Sequence, residues 1–211
     1  LTKPIAPTPS WLRGSLLRFA VIFGLLIFPW PGINDIYGAY FRSFGNFVFN
    51  REDSPRLVSF DPHILVHDFS TLNTRLTLAN RTTPDSKGNF PAKQIDLDTR
   101  SIGWIPTALT ISLIAATPIP WGRRVGALLA GLVLVHALII FTLETWIWSK
   151  SSSLALLDLT PFWQRVADDL RYTFLTQLGV SFTAPVLIWL LVCFRKRDAA
   201  LIFGKNQRAA R

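Results

Sequence analysis

The chain has 211 residues, half of them hydrophobic and only 17% charged, with a net charge of +9. Ordinary globular proteins are about 25% charged; here the apolar excess is gathered into four stretches, which points to lipid rather than to a larger core. The single cysteine, Cys193, excludes an internal disulfide and any paired-thiol redox chemistry within one chain.

Residues 1–10 form a short tail, and the first apolar stretch covers 11–31. Arg13 and Arg18 precede its apolar centre, and Pro29 and Pro31 end it. A cleavable signal peptide would be followed by a small-residue cleavage site, but Pro-Trp-Pro-Gly follows instead. An uncleaved signal-anchor helix is the expectation.

Residues 32–103 then form an insertion with its own pattern. Ile33, Ile36, Tyr37, Tyr40, Phe41, Phe44, Phe47 and Val48 repeat with the i, i+3, i+4, i+7 spacing of an amphipathic helix over 33–48. Five of the eight are aromatic, and Tyr37, Tyr40, Phe41 and Phe44 form a candidate packing or partner surface. The helix is expected either to lie along the membrane face or to pack on the small domain that follows. From Pro55 the period changes to two. Leu57–Phe60 reads as a short strand, and Leu72, Thr74, Leu76 and Leu78 alternate with polar residues as a half-buried one. The run 80–89 is dense in turn formers, and Ile95 with Leu97 marks an antiparallel partner. A sheet of three or four strands is implied, too small to be secure without a neighbour to lean on.

The second stretch, 104–120, has seventeen residues, near the minimum for crossing the ~30 Å hydrocarbon layer. The third, 125–148, would be ~36 Å long as a helix. Only Trp121-Gly-Arg-Arg124 separates them, which predicts a tight antiparallel hairpin. Residues 149–171 form a loop in which Thr160-Pro161 starts a helix, with Phe162, Val166 and Leu170 on one face. The fourth stretch, 172–194, contains Pro185 and stops at Arg195-Lys-Arg197, where a basic tail (195–211) begins.

Lys3, Arg13, Arg18, Arg123, Arg124 and the basic tail all fall on one side of such a bundle. That side carries eleven basic residues and one acid, the other eleven and twelve. The positive-inside rule then puts both termini in the cytoplasm and residues 32–103 outside. Trp30, Trp104, Trp146, Trp148 and Trp163 fall at outer ends, and Trp11 and Trp121 at inner ends, as interfacial indoles should. Trp189 alone lies inside its boundary. Lipid headgroups account for the basic charge, so no nucleic acid is expected as a partner.

Candidate chemistry is sparse, and the cofactor is left open. His63 and His67, near Asp61 and Asp68, have a spacing that would place both on one face of a strand or of a helix. Ile64 stands where a zinc-protease helix would need Glu, and two histidines on a polar segment commonly bind no metal. His136 falls near the middle of the third stretch. An intramembrane imidazole can ligate a haem iron or chlorophyll magnesium, or can simply bond to a neighbouring helix. Bacterial light-harvesting helices carry a small residue four positions before the pigment histidine; here that position is Leu132, so the local resemblance departs at that residue. Glu144, two turns further on, can reach the interface, pair with Lys150 or Arg171, or line a polar cavity. Gly126/Ala130 and Ala127/Gly131 are small pairs at i, i+4 that permit close helix approach.

The fold expected is a mainly α membrane protein, four transmembrane helices with a small extracytoplasmic α+β insertion between the first two. In topology alone this resembles permease subunits of some bacterial export machines and claudin-type tetraspan proteins, with no motif shared. The expected role is a non-catalytic, accessory subunit of a bacterial inner-membrane complex, its partners being lipid and other membrane subunits. The alternatives are a permease-type transport component and a pigment- or haem-binding subunit using His136.

Overall fold

The computed structural model describes residues 10–51, 54, 56–63, 72–82, 84, 90–151, 160–170, 172 and 179–194. It is mostly helical, with one three-stranded antiparallel sheet. In chain order the elements are α1 (Ser10–Ile27), α2 (Ile33–Phe49), β1 (Arg56–Pro62), β2 (Thr74–Asn80) and β3 (Ala92–Leu97). A π-helical stretch (Arg100–Trp104) leads into α3 (Ile105–Ala116), followed by α4 (Trp121–Ser151), α5 (Pro161–Leu170) and α6 (Val180–Cys193). Among the described residues, α4 is the one helix long and apolar enough to cross a membrane. The stretches Arg100–Ala116 and Val180–Cys193 are shorter apolar helices.

The chain divides into two compact units. One comprises Pro29–Pro106 and His136–Thr183 and holds the sheet. Its strands run in the order β1-β2-β3, in a register that stacks Phe60, Leu76 and Ile95 in one row and Val58 opposite Leu78. Those alternating side chains form the inner face. Val58, Phe60, Leu76, Leu78 and Leu97 are buried against Phe41 and Phe49 of α2 and against Ile139, Leu143 and Ile147 of α4. The outer face is polar: Asp61, Arg75 and Asp96 share one row, and the Arg75 Nε–Asp96 Oδ1 pair closes at 3.0 Å. A three-stranded sheet buries enough apolar surface only with such a cover, and α2 and α4 supply it.

The buried side of α2 differs from the stripe expected. Gly38, Phe41, Gly45 and Phe49 face inward, while Phe47 is 88% exposed. A Cβ on Gly45 would lie 2.9 Å from the Phe60 ring; only glycine lets the helix come this close. Asn46, one residue on, bonds the backbone of Phe60 twice, accepting its N–H at 2.8 Å and donating to its carbonyl at 3.0 Å. In α5 Val166 and Leu170 are half-buried, and Phe162 on the same face is not. Phe162 is exposed and Ala167 is buried, because Trp163 packs on Trp148 and the Ser149 hydroxyl donates to Asp168 Oδ1 at 3.1 Å.

The other unit comprises Leu1–Phe28, Thr107–Val135 and Ala184–Arg211. Here Gly131 of α4 meets α3: a Cβ there would lie 2.6 Å from Ile114 and 3.2 Å from Thr110. Ile114, Ala127 and Cys193 form its buried core. Trp189 donates its indole N–H to Thr117 Oγ1 at 2.7 Å. That bond meets the polar need of the one tryptophan set away from the expected boundary. Arg123 donates to the carbonyl of Cys193 at 2.8 Å, and Arg124 to those of Thr117 and Ile119 at 3.1 and 3.2 Å, with Arg124 also stacked over Trp121. Arg123 thus caps the last carbonyl of α6, a favourable place for a cation, and Arg124 holds the carbonyls of the turn that follows α3.

Candidate functional site

α2 and the second half of α4 bring the sequence-flagged aromatic residues and His136 together. The Tyr40 phenol and His136 Nε2 share a hydrogen bond of 2.6 Å; with the imidazole proton on Nδ1, the phenol is the donor. Phe44 meets the imidazole edge-on at 5.4 Å and stacks with Tyr40 at 6.1 Å. One turn earlier on α2, Tyr37 touches Tyr40, Phe41 and Trp104. Tyr37, Tyr40, Phe41 and Phe44 thus form a continuous aromatic surface, with Phe41 in the core and Tyr40 half-exposed. A metal or pigment approaching Nε2 of His136 would have to displace Tyr40 from it.

Glu144, two turns further along α4, meets an arginine of the sheet rather than Lys150, and Arg171 lies outside the described residues. Oε1 of Glu144 lies 3.7 Å from Arg56 Nη1, at the start of β1. His136 and Glu144 therefore address different elements, α2 and β1, and share no site.

His63 follows β1 directly and leans over the polar face of the sheet. Its Nε2 is 3.7 Å from Asp96 Oδ2 and 3.4 Å from Arg75 Nη2. A permanent guanidinium charge at that nitrogen disfavours a cation there. His67 lies outside the described residues. Among the described residues no three His, Cys, Asp or Glu side chains are grouped closely enough to hold a metal ion.

The two small pairs of α4 have opposite fates. Ala127 and Gly131 are buried, the latter against Ile114 and Thr110. Gly126 and Ala130 are exposed, and a Cβ on Gly126 would meet no atom within 4 Å. Val125, Leu129 and Val133 on the same helix are exposed as well. Sequence spacing identified both pairs without distinguishing the filled one from the vacant one. The carbonyl-binding roles of Arg123 and Arg124 were missed altogether. Their position directly after a Pro-rich helix end was the available signal.

No protein-family model, curated protein or solved structure matches this chain. Its function has to be argued from these residues.

Proposed function

We propose that the chain is a non-catalytic, multi-pass subunit of a bacterial inner-membrane complex, whose work is to hold partner subunits together. In this reading α1, α3, α4 and α6 are the four spans, both termini are cytoplasmic, and residues 32–103 stand outside. Length supports it. At 1.5 Å per residue α4 is ~46 Å long, ~16 Å more than the hydrocarbon layer requires. Its surplus turns, which include Leu143 and Ile147, are those that cover the sheet. On this count His136 belongs toward the outer headgroups rather than at mid-bilayer, where a phenol partner and partial exposure are cheap.

The observation that carries the assembly reading is the vacant Gly126/Ala130 face of α4, beside the filled Ala127/Gly131 face. The helix already uses one small pair to seat a neighbour closely. The second offers the same close approach to a helix from another chain, where packing and not water exclusion drives association. The inner turn supports this over a permease: Trp121–Arg124 is too short to offer a coupling helix to a cytoplasmic ATPase, and Arg123 and Arg124 are engaged with backbone carbonyls.

Extraction in mild detergent tests the proposal. The wild-type chain should copurify with stoichiometric partners, and the double variant Gly126→Leu/Ala130→Leu should lose them while remaining folded. Recovery of the wild type as a folded, monodisperse monomer would sink the reading.

A further inference from the structure

The unit formed by Leu1–Phe28, Thr107–Val135 and Ala184–Arg211 carries an apolar pocket of about 320 Å³. α1 contributes Leu16 and Phe19 to its walls, α3 contributes Leu113 and Ala116, and Trp189 of α6 completes it, with the Phe194 ring edge-on to the indole at 5.2 Å. The volume is that of a small-ligand site. Its chemistry favours an apolar occupant. The Thr117 hydroxyl also lines the pocket, but it donates to the Leu113 carbonyl at 2.6 Å and accepts the Trp189 indole N–H at 2.7 Å. That hydroxyl is therefore committed within the wall, and an occupant finds mostly carbon to touch. Cavities with such walls stay dry and take apolar guests.

Cations stand against the same walls. Arg124 donates to the Thr117 carbonyl, and Arg123 to that of Cys193, the residue before Phe194. Arg18 is exposed on α1, next to Phe19 in the chain. The pocket lies where α3 and α6 both end, and each helix C-terminus carries a partial charge of ~−0.5. Two full guanidinium charges at or just after those ends outweigh that sum of ~−1 and leave the neighbourhood positive. Composition gives the whole unit the same sign, with eleven basic residues and one acid, Asp198. An occupant that suits both features is apolar along most of its length and anionic at one end. An extended peptide would bring backbone N–H and C=O groups that these walls do not satisfy. A partner helix, ~10 Å across, would fill the volume in less than one turn. A single acyl chain fits without either cost.

We propose that the pocket between α1, α3 and α6 binds an anionic phospholipid, one acyl chain of which lies along Leu16, Leu113 and Ala116 while its phosphate is drawn to the charge of Arg123 and Arg124. The proposal rests on the membrane reading of the chain and not on its having partner subunits.

The test reconstitutes the purified full chain in phosphatidylcholine vesicles doped with a phospholipid that carries a photoactivatable diazirine in its acyl chain. The doped lipid has either a phosphatidylglycerol or a phosphatidylcholine headgroup, and adducts are mapped by peptide mass spectrometry. The phosphatidylglycerol probe should label residues 113–118 saturably and ~10-fold better than the phosphatidylcholine probe, the effect of two nearby arginines reduced by the opposing helix ends. Leu129 and Val133, 62% and 70% exposed on α4, should take both probes equally and without saturation, as ordinary lipid-facing residues do. Ser15 lines the pocket from α1. Ser15→Phe should therefore fill it and abolish labelling of 113–118 while leaving that of α4 unchanged. Ala116→Leu fills it from α3 and decides the matter if Ser15→Phe fails to fold. Equal labelling of the pocket by the two headgroups, or pocket labelling unchanged in both variants, overturns the proposal. Labelling of α4 with none in the pocket overturns it and leaves the membrane reading intact. Labelling of neither region overturns both.

Discussion

Tyr40 and His136 are 96 positions apart in the chain and 2.6 Å apart in the fold. Each stands out in the sequence, one as part of an aromatic helix face and the other as an ionisable residue in an apolar run. Their pairing does not stand out, because nothing local to either residue encodes the distance between them. Glycines behave in the same way. Gly45 and Gly126 look alike in sequence, yet one is pressed against Phe60 and the other faces open space. Gly45→Ala should destabilise the chain by ~1–3 kcal/mol, the usual cost of overpacking. Gly126→Ala should instead be neutral or stabilise by up to ~1 kcal/mol, since alanine is the better helix former. Thermal melting of the two variants in one detergent measures both. Equal melting temperatures would contradict the packing described for α2.

At the level of elements, β1 is an edge strand whose free side is met by a side chain. The carboxamide of Asn46 pairs with the Phe60 backbone as a neighbouring strand would, which both anchors α2 and blunts the edge. Asn46→Ala removes two hydrogen bonds of ~1 kcal/mol each. At ~2–4 °C per kcal/mol for a chain of this size, the melting temperature should fall by ~4–8 °C. An unchanged melting temperature would mean that the anchor contributes nothing. The strands themselves were readable, because the alternation through Leu76 and Leu78 reports a two-sided environment directly. The extent of α4 was harder to read. Hydropathy marks 125–148, but the helix runs on through Ser149 and Ser151, which pack in the sheet-bearing unit, with Ser151 donating to the Ile147 carbonyl. Which face of α5 is buried was not legible for a related reason. Phe162 has the right spacing, but the Trp163–Trp148 contact, a tertiary one, decides the rotation of the helix.

For the whole molecule, the proposed orientation makes the sheet and the inner turn report from opposite sides of the membrane. The chain is suited to the test, because its one cysteine, Cys193, is buried and should give little background with a thiol reagent. Gln94 is exposed on the polar face of β3, opposite Thr77 of β2. Gly122 is exposed at the start of α4, with no atom within 4 Å of an added Cβ. Gln94→Cys should react with a membrane-impermeant maleimide in intact spheroplasts. Gly122→Cys should react only after permeabilisation, and the wild type should not react in either condition. The reverse pattern would invert the orientation and place the sheet in the cytoplasm, against the charge asymmetry of the flanks. Equal labelling of both variants in intact spheroplasts would be incompatible with a bilayer between them, and would leave α4 as the core helix of a protein that does not span the membrane.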